Sequence, residues 1–172
     1  MAEGGKDPLW PMPTVPPKFA TFSLGGGRPN GCAAEKCERW HAGIDLQRAP
    51  DKALVVAPED GTIVGLDKGW TDGTRAIFFV TDSGLFLVLG GVIAGSHKEW
   101  GRKVGAKVAR GGELGRIVGS YGMLHFETYA ATPGRTANSR WWQDDPPPEG
   151  LLNPANYVER MVGKDASLLL TR

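Results

Sequence analysis

The sequence is poor in histidine and poorer still in cysteine, with three His and two Cys among 172 residues. The two cysteines are Cys32 and Cys37. Their spacing leaves open a small disulfide loop, a pair of reduced thiols or half of a metal site. No apolar run approaches the roughly 20 residues that a membrane-spanning helix needs. Glu3, Lys6 and Asp7 stand where an export signal would carry its hydrophobic stretch, so no signal peptide is expected in this chain. Neither charge is in excess: 20 Lys plus Arg against 19 Asp plus Glu give no electrostatic footprint for nucleic acid or for an anionic membrane surface. There is also no internal repeat.

Turn formers, by contrast, are abundant, with 25 Gly and 13 Pro, and 41% of the residues are hydrophobic. That suits one domain of short strands better than a helical bundle. Residues 1–21 read as a Pro-rich extended arm (Pro8, Pro11, Pro13, Pro16, Pro17) that lies across the domain surface or contacts a larger assembly. Residues 22–163 form the domain and 164–172 a tail. The glycines of 25–31 read as a flexible loop, because they do not link a strand to a helix as a phosphate-binding loop does. Strands are expected over 54–57, 62–66, 76–80, 85–89, 114–118 and 124–129, separated by turns such as Glu59-Asp60-Gly61 and Asp82-Ser83-Gly84. One helix is expected, with Asn153 as N-cap, Pro154 at its first position and Gly163 as its stop. Trp141 to Pro148 reads as a loop whose adjacent tryptophans flank a groove or meet a partner. The fold class is mostly β, a β-rich α+β domain with a small antiparallel sheet.

Chemistry concentrates in two alternating segments. In His41-Ala42-Gly43-Ile44-Asp45-Leu46 an extended backbone sends His41, Gly43 and Asp45 to one face. Met123, His125, Glu127 and Tyr129 likewise share one face of a second strand, with Leu124, Phe126 and Thr128 on the other. Two His and one Asp on separate strands make a three-ligand nitrogen and oxygen set that leaves the fourth position of a tetrahedral zinc open, as in catalytic sites. Two other readings stand beside it. A lone buried His is usually a packed core residue, and Cys32, Cys37 and His41 could instead form a structural zinc knuckle, although no fourth ligand lies at finger-like spacing.

Several segments, in order, resemble the lysostaphin/LytM-type zinc metalloendopeptidases. They are Arg28, His41 to Leu46, Ala57-Pro58-Glu59-Asp60-Gly61-Thr62-Ile63-Val64, Val104 to Gly111 with Leu114-Gly115, and Leu124-His125-Phe126-Glu127. The resemblance spans roughly residues 22–129. It implies an antiparallel β domain with an open groove, a Zn2+ cofactor held by His41, Asp45 and His125, and hydrolysis of peptide bonds in the stems or cross-bridges of bacterial peptidoglycan. It also implies action at the cell wall, whether periplasmic, extracellular or virion-associated.

Two departures bear on catalysis. The first His of the family's His-x-His motif is Met123 here, and a thioether can neither deprotonate water nor stabilise an oxyanion. The strand that usually carries a second catalytic His reads Leu87-Val88-Leu89-Gly90-Gly91-Val92. His97, just beyond, and Glu127, beside His125, are the candidate catalytic replacements; Tyr121 or Tyr129 could donate to an oxyanion. Three functions therefore compete: an active peptidoglycan endopeptidase, a catalytically silent zinc-containing wall-binding or structural module, and a zinc hydrolase on another substrate.

Overall fold

Short strands and tight turns account for most of the chain. The computed structural model describes residues 7–17, 27–28, 39–130, 141–142 and 144–162. Its strands are β1 (Gly27–Arg28), β2 (Arg39–Trp40), β3 (Ile44–Gln47), β4 (Leu54–Val56), β5 (Gly61–Gly69), β6 (Arg75–Thr81) and β7 (Leu85–Val92). After a 3-10 segment at Ser96–Trp100 follow β8 (Lys107–Val108), β9 (Glu113–Arg116), β10 (Met123–Ala130), β11 (Trp141–Trp142) and β12 (Leu151–Leu152), and the helix α1 (Ala155–Val162) closes the order. Every strand expected between 54 and 129 is present. The hydrophobic alternation underestimates β7, which continues through Gly90 and Gly91 to Val92.

The main sheet runs β12-β10-β7-β6-β5-β8, all antiparallel, and β3 shares with β12 the outer edge of β10. Leu124 and Phe126 of β10, Leu87 and Leu89 of β7, Ile77 and Phe79 of β6 and Ile63 of β5 project to one face and form the principal core with the β4–β9 pair and α1. A large side chain fully buried there contributes about 1.5–3 kcal/mol. The opposite face carries a smaller apolar cluster of Ala76, Phe78, Phe86, Val88 and Tyr129, and the side chains of His125 and Glu127 share that face. The period-2 alternation of β10 thus separates packing from chemistry.

Asn153 caps the helix as expected: its Oδ1 accepts the Ala155 N–H at 3.0 Å, and the Pro154 carbonyl accepts from Val158. Gly163 lies outside the described residues, as do Cys32 and Cys37. Three readings need correction. Trp141–Trp142 is a strand and not a loop, paired with β2 so that the rings of Trp40 and Trp141 stand 6.2 Å apart; cross-strand aromatic packing outweighs the turn-forming residues downstream. Gly27–Arg28, read as loop, pairs antiparallel with Arg39–Trp40 on the opposite edge of β2 from β11. Within the Pro-rich arm, Trp10, Met12 and Val15 are buried in the principal core. Proline cannot donate but does accept, and the arm is bonded both ways: Leu9 donates to the Pro58 carbonyl and Val56 to that of Pro11, at 2.8 and 2.9 Å. No helix among the described residues is long and apolar enough to cross a membrane.

Candidate metal centre

β3 and β10 pair with Asp45 directly opposite His125, and residues opposite one another in a ladder project to the same face. His41 stands one bend earlier, since the strand begins at Ile44 and not at residue 41. Gly43 makes that bend possible: a β-carbon there would collide with the Phe126 carbonyl oxygen and stand 3.0 Å from Nε2 of His125. The chain can therefore cross close over β10 and return His41 to Asp45.

Three donor atoms converge. His125 Nδ1 lies 2.9 Å from Asp45 Oδ1 and 3.1 Å from His41 Nε2, and His41 Nε2 lies 3.3 Å from Asp45 Oδ1. All three side chains are buried. Zinc bonds of about 2.0–2.1 Å at tetrahedral angles place two donors about 3.3 Å apart, so the triangle is a slightly contracted face of a zinc-sized tetrahedron. This is the one group of His, Cys, Asp or Glu among the described residues that could hold a metal ion.

Charge is balanced across the cluster. Burial alone would raise the Asp45 carboxyl, but hydrogen bonds from His125 and His41, and the charge they carry, hold it far below the usual carboxylate range. Burial works against a charged imidazole too, yet Asp45 and Glu127, one on each ring nitrogen, raise His125 to about 9. Glu127 meets His125 on the edge away from the cluster: Oε1 is 2.9 Å from Nε2, while Oε2 accepts the Tyr129 hydroxyl at 2.6 Å. Both residues are buried. The structure therefore places Glu127 behind His125 and the Tyr129 hydroxyl on Glu127.

The other candidates are not brought to the cluster. His97 lies in the 3-10 segment with Nδ1 donating to the Arg102 carbonyl at 3.0 Å and Nε2 3.1 Å from Asp67 Oδ2. Met123 is half-buried at the first position of β10, opposite Gln47. Gly90 and Gly91 are covered by aromatic rings, Trp70 over the first and Tyr121 over the second; Thr71 Oγ1 donates to the Tyr121 hydroxyl at 3.5 Å. Trp70 also packs against His125, with ring centroids 5.2 Å apart. The sequence reading missed Trp70 altogether. The available signal was the pair of glycines inside a strand, which marks a place where something bulky approaches the backbone.

The chain has a lysostaphin/LytM-type fold. Solved structures agree. The chain is similar to the catalytic domain of the antimicrobial peptidase lysostaphin from Staphylococcus simulans, with a TM-score of 0.55 at 19% identity over 83% of this chain and 92% of that one. It is similar to a mutant catalytic domain of the prophage-encoded protein EnpA from Enterococcus faecalis, with a TM-score of 0.52 at 18% identity over 87% and 95% of the two chains. A zinc-containing peptidase from Vibrio cholerae gives a TM-score of 0.51 at 18% identity over 83% of this chain, which spans only 39% of that longer protein. No family model and no curated protein matches the sequence.

Proposed function

We propose that this chain is a zinc-dependent endopeptidase that hydrolyses peptide bonds in the stems or cross-bridges of bacterial peptidoglycan, acting at the cell wall. The observation that carries the reading is the buried triangle of His41 Nε2, Asp45 Oδ1 and His125 Nδ1 at tetrahedral-edge distances, in the fold of lysostaphin. A zinc ion there supplies Lewis acidity, polarising a carbonyl and acidifying water. Asp45 contributes the negative charge that two neutral imidazoles lack. Glu127 accepts the Nε2 proton of His125, which leaves Nδ1 as the donor atom facing the cluster, and Tyr129 holds Glu127 in place. His97, anchored to Asp67 and Arg102, takes no part. Without an imidazole at position 123 or at positions 90 and 91, the chain provides positioning and charge but little proton transfer, so turnover is slow.

The test is digestion of purified sacculi by the zinc-loaded protein, reading new amino groups or soluble fragments. Release that stops on chelation and in Asp45→Ala supports the assignment; zinc-loaded protein that releases nothing from any sacculus overturns it. One observation favours a second reading. Aromatic rings cover Gly90 and Gly91, and Met123 offers no base, as in a module that keeps its metal for stability and binds the wall without cutting it. Sedimentation with sacculi in the absence of fragment release would select that reading.

A further inference from the structure

Position 90 is the empty point of an otherwise furnished face. Gly90 lies opposite His125 in the β10–β7 ladder, so on its β7 side the sheet provides no side chain beside the imidazole, whereas Asp45 of β3 stands on the other side. Trp70, at the end of the β5 hairpin arm, supplies the missing bulk. A β-carbon on Gly90 would stand 2.5 Å from Nε1 and Cε2 of the indole and 3.0 Å from Cδ1, closer than real β-carbons approach. The indole plane is tilted 40° to the imidazole of His125 at a centroid distance of 5.2 Å. Its Nε1 is buried with no hydrogen-bond partner. An unpaired buried donor disfavours this placement, so the ring is held by shape over Gly90 and by contact with the imidazole, not by its polar atom. The base of the turn is closed by Trp70 N–H to the Thr74 carbonyl at 3.1 Å and by Thr74 N–H to the Thr71 carbonyl at 3.0 Å.

We infer that Trp70 is the positioning residue of His125 in the metal centre, and that position 90 must be glycine because the indole occupies the space a side chain there would need. The two edges of the imidazole are fixed in its own plane by Asp45 and by Glu127. Neither contact resists tilting out of that plane. The Trp70 indole, tilted 40° to the imidazole with ring centroids 5.2 Å apart, adds a contact that does. The same indole takes the volume that a side chain at position 90 would need, while Tyr121 takes that at position 91.

This inference rests on the metal assignment proposed above, and the experiment separates the two. Zn(II) affinity by dye competition and the visible spectrum of the Co(II) form are measured for the wild type, Trp70→Ala, Trp70→Phe, Gly90→Ala and the Trp70→Ala/Gly90→Ala pair. Trp70→Ala is expected to lower Zn(II) affinity by about 10–100-fold, the range for residues that orient a ligand, and to change the Co(II) bands. Trp70→Phe, which keeps a ring and removes the unpartnered N–H, is expected to restore affinity to within a few-fold of wild type. Gly90→Ala should weaken binding as Trp70→Ala does, and adding it to Trp70→Ala should cost nothing more, because the collision is already gone. Wild-type affinity and spectrum in Trp70→Ala, or simple additivity of the pair, would overturn the inference. Should Trp70→Ala fail to fold, unchanged binding in Gly90→Ala overturns it equally. A wild-type chain that binds neither ion refutes the metal assignment instead. The Trp70 contact is then read from the His125 ring-proton resonances of the metal-free protein, which Trp70→Ala must shift and Trp70→Phe largely preserve.

Discussion

The side of the centre built by β3 and β10 and the side built by β7 and the β5–β6 turn present different kinds of atoms. From β10, β3 and the segment leading into β3 come His41, Asp45, His125, Glu127 and Tyr129, five buried polar side chains linked in a continuous run of hydrogen-bonding contacts. From β7 and the turn come two glycines under Trp70 and Tyr121, and Met123 adds a thioether at the near end of β10. One side brings together donors that could hold a metal ion; the other supplies aromatic packing over two glycines.

The largest effect is expected where the second side is given what it lacks. Met123 precedes His125 by two residues on β10, so its side chain projects to the same face. Met123→His should raise peptidoglycan hydrolysis by ~10²–10⁴-fold, the usual worth of general acid–base assistance. Fragment release by wild type and variant under equal zinc loading is the measurement. A variant as inert as the wild type would place the chain among binding modules. Gly90→His should bring no such gain while Trp70 remains, because the indole fills that space.

Breaking the first side comes next. Asp45→Ala should reduce zinc affinity by more than the ~10–100-fold typical of an outer-shell partner, since it deletes a ligand and the only negative charge among the three. Calorimetric titration tests this. Retained stoichiometric zinc in Asp45→Ala, with metal lost instead from Cys32→Ser/Cys37→Ser, would transfer the site to the cysteines.

A pH series gives an effect of similar kind. Below about 9 the metal-free His125 carries a proton held by Asp45 and Glu127. Zinc must displace it, so affinity should rise about tenfold per pH unit between roughly 7 and 9 and then level off. The stability of the metal-free protein runs the opposite way. His125 is raised on folding, so its contribution is complete below its unfolded value of 6.5 and declines as pH passes through about 9. Thermal melts with chelator, against zinc titrations at matched pH, should show the two trends diverging; parallel trends would remove the proton from Nδ1.

Much of the first side was legible from alternation alone. Once Leu124 and Phe126 are assigned to the core, period 2 puts His125, Glu127 and Tyr129 on the other face, and the same logic places Asp45. His41 does stand beside Asp45, but it gets there through the bend at Gly43 and not along a strand. The second side was not legible. Trp70 meets His125 across a sequence separation that no local periodicity spans, and its contact depends on the β5–β6 hairpin folding over β7. His97 misled because nearness in sequence to the glycines of β7 says nothing of direction, and Asp67 and the Arg102 carbonyl turn it elsewhere. The proline arm misled in the same way: composition showed that Pro11 and Pro58 cannot donate, not that their carbonyls would bind the neighbouring backbone.

The smallest expected effect lies two bonds from the cluster. Tyr129 donates to Oε2 of Glu127 at 2.6 Å in a fully buried setting, and Glu127 in turn holds Nε2 of His125. Tyr129→Phe keeps the aromatic packing against Phe86 and removes only the hydroxyl. A hydrogen bond to a buried charged group is worth about 1.5–3 kcal/mol, so the metal-free protein should lose stability of that order. Zinc affinity should fall less than in Glu127→Gln, because Oε1 still accepts from His125, and a change within tenfold is expected. The order of the two variants is the informative result. If Tyr129→Phe weakened zinc binding as much as Glu127→Gln, the hydroxyl and not the carboxylate would be setting the orientation of His125. If Glu127→Gln left affinity unchanged, the contact behind the imidazole would be packing without influence on the donor atom.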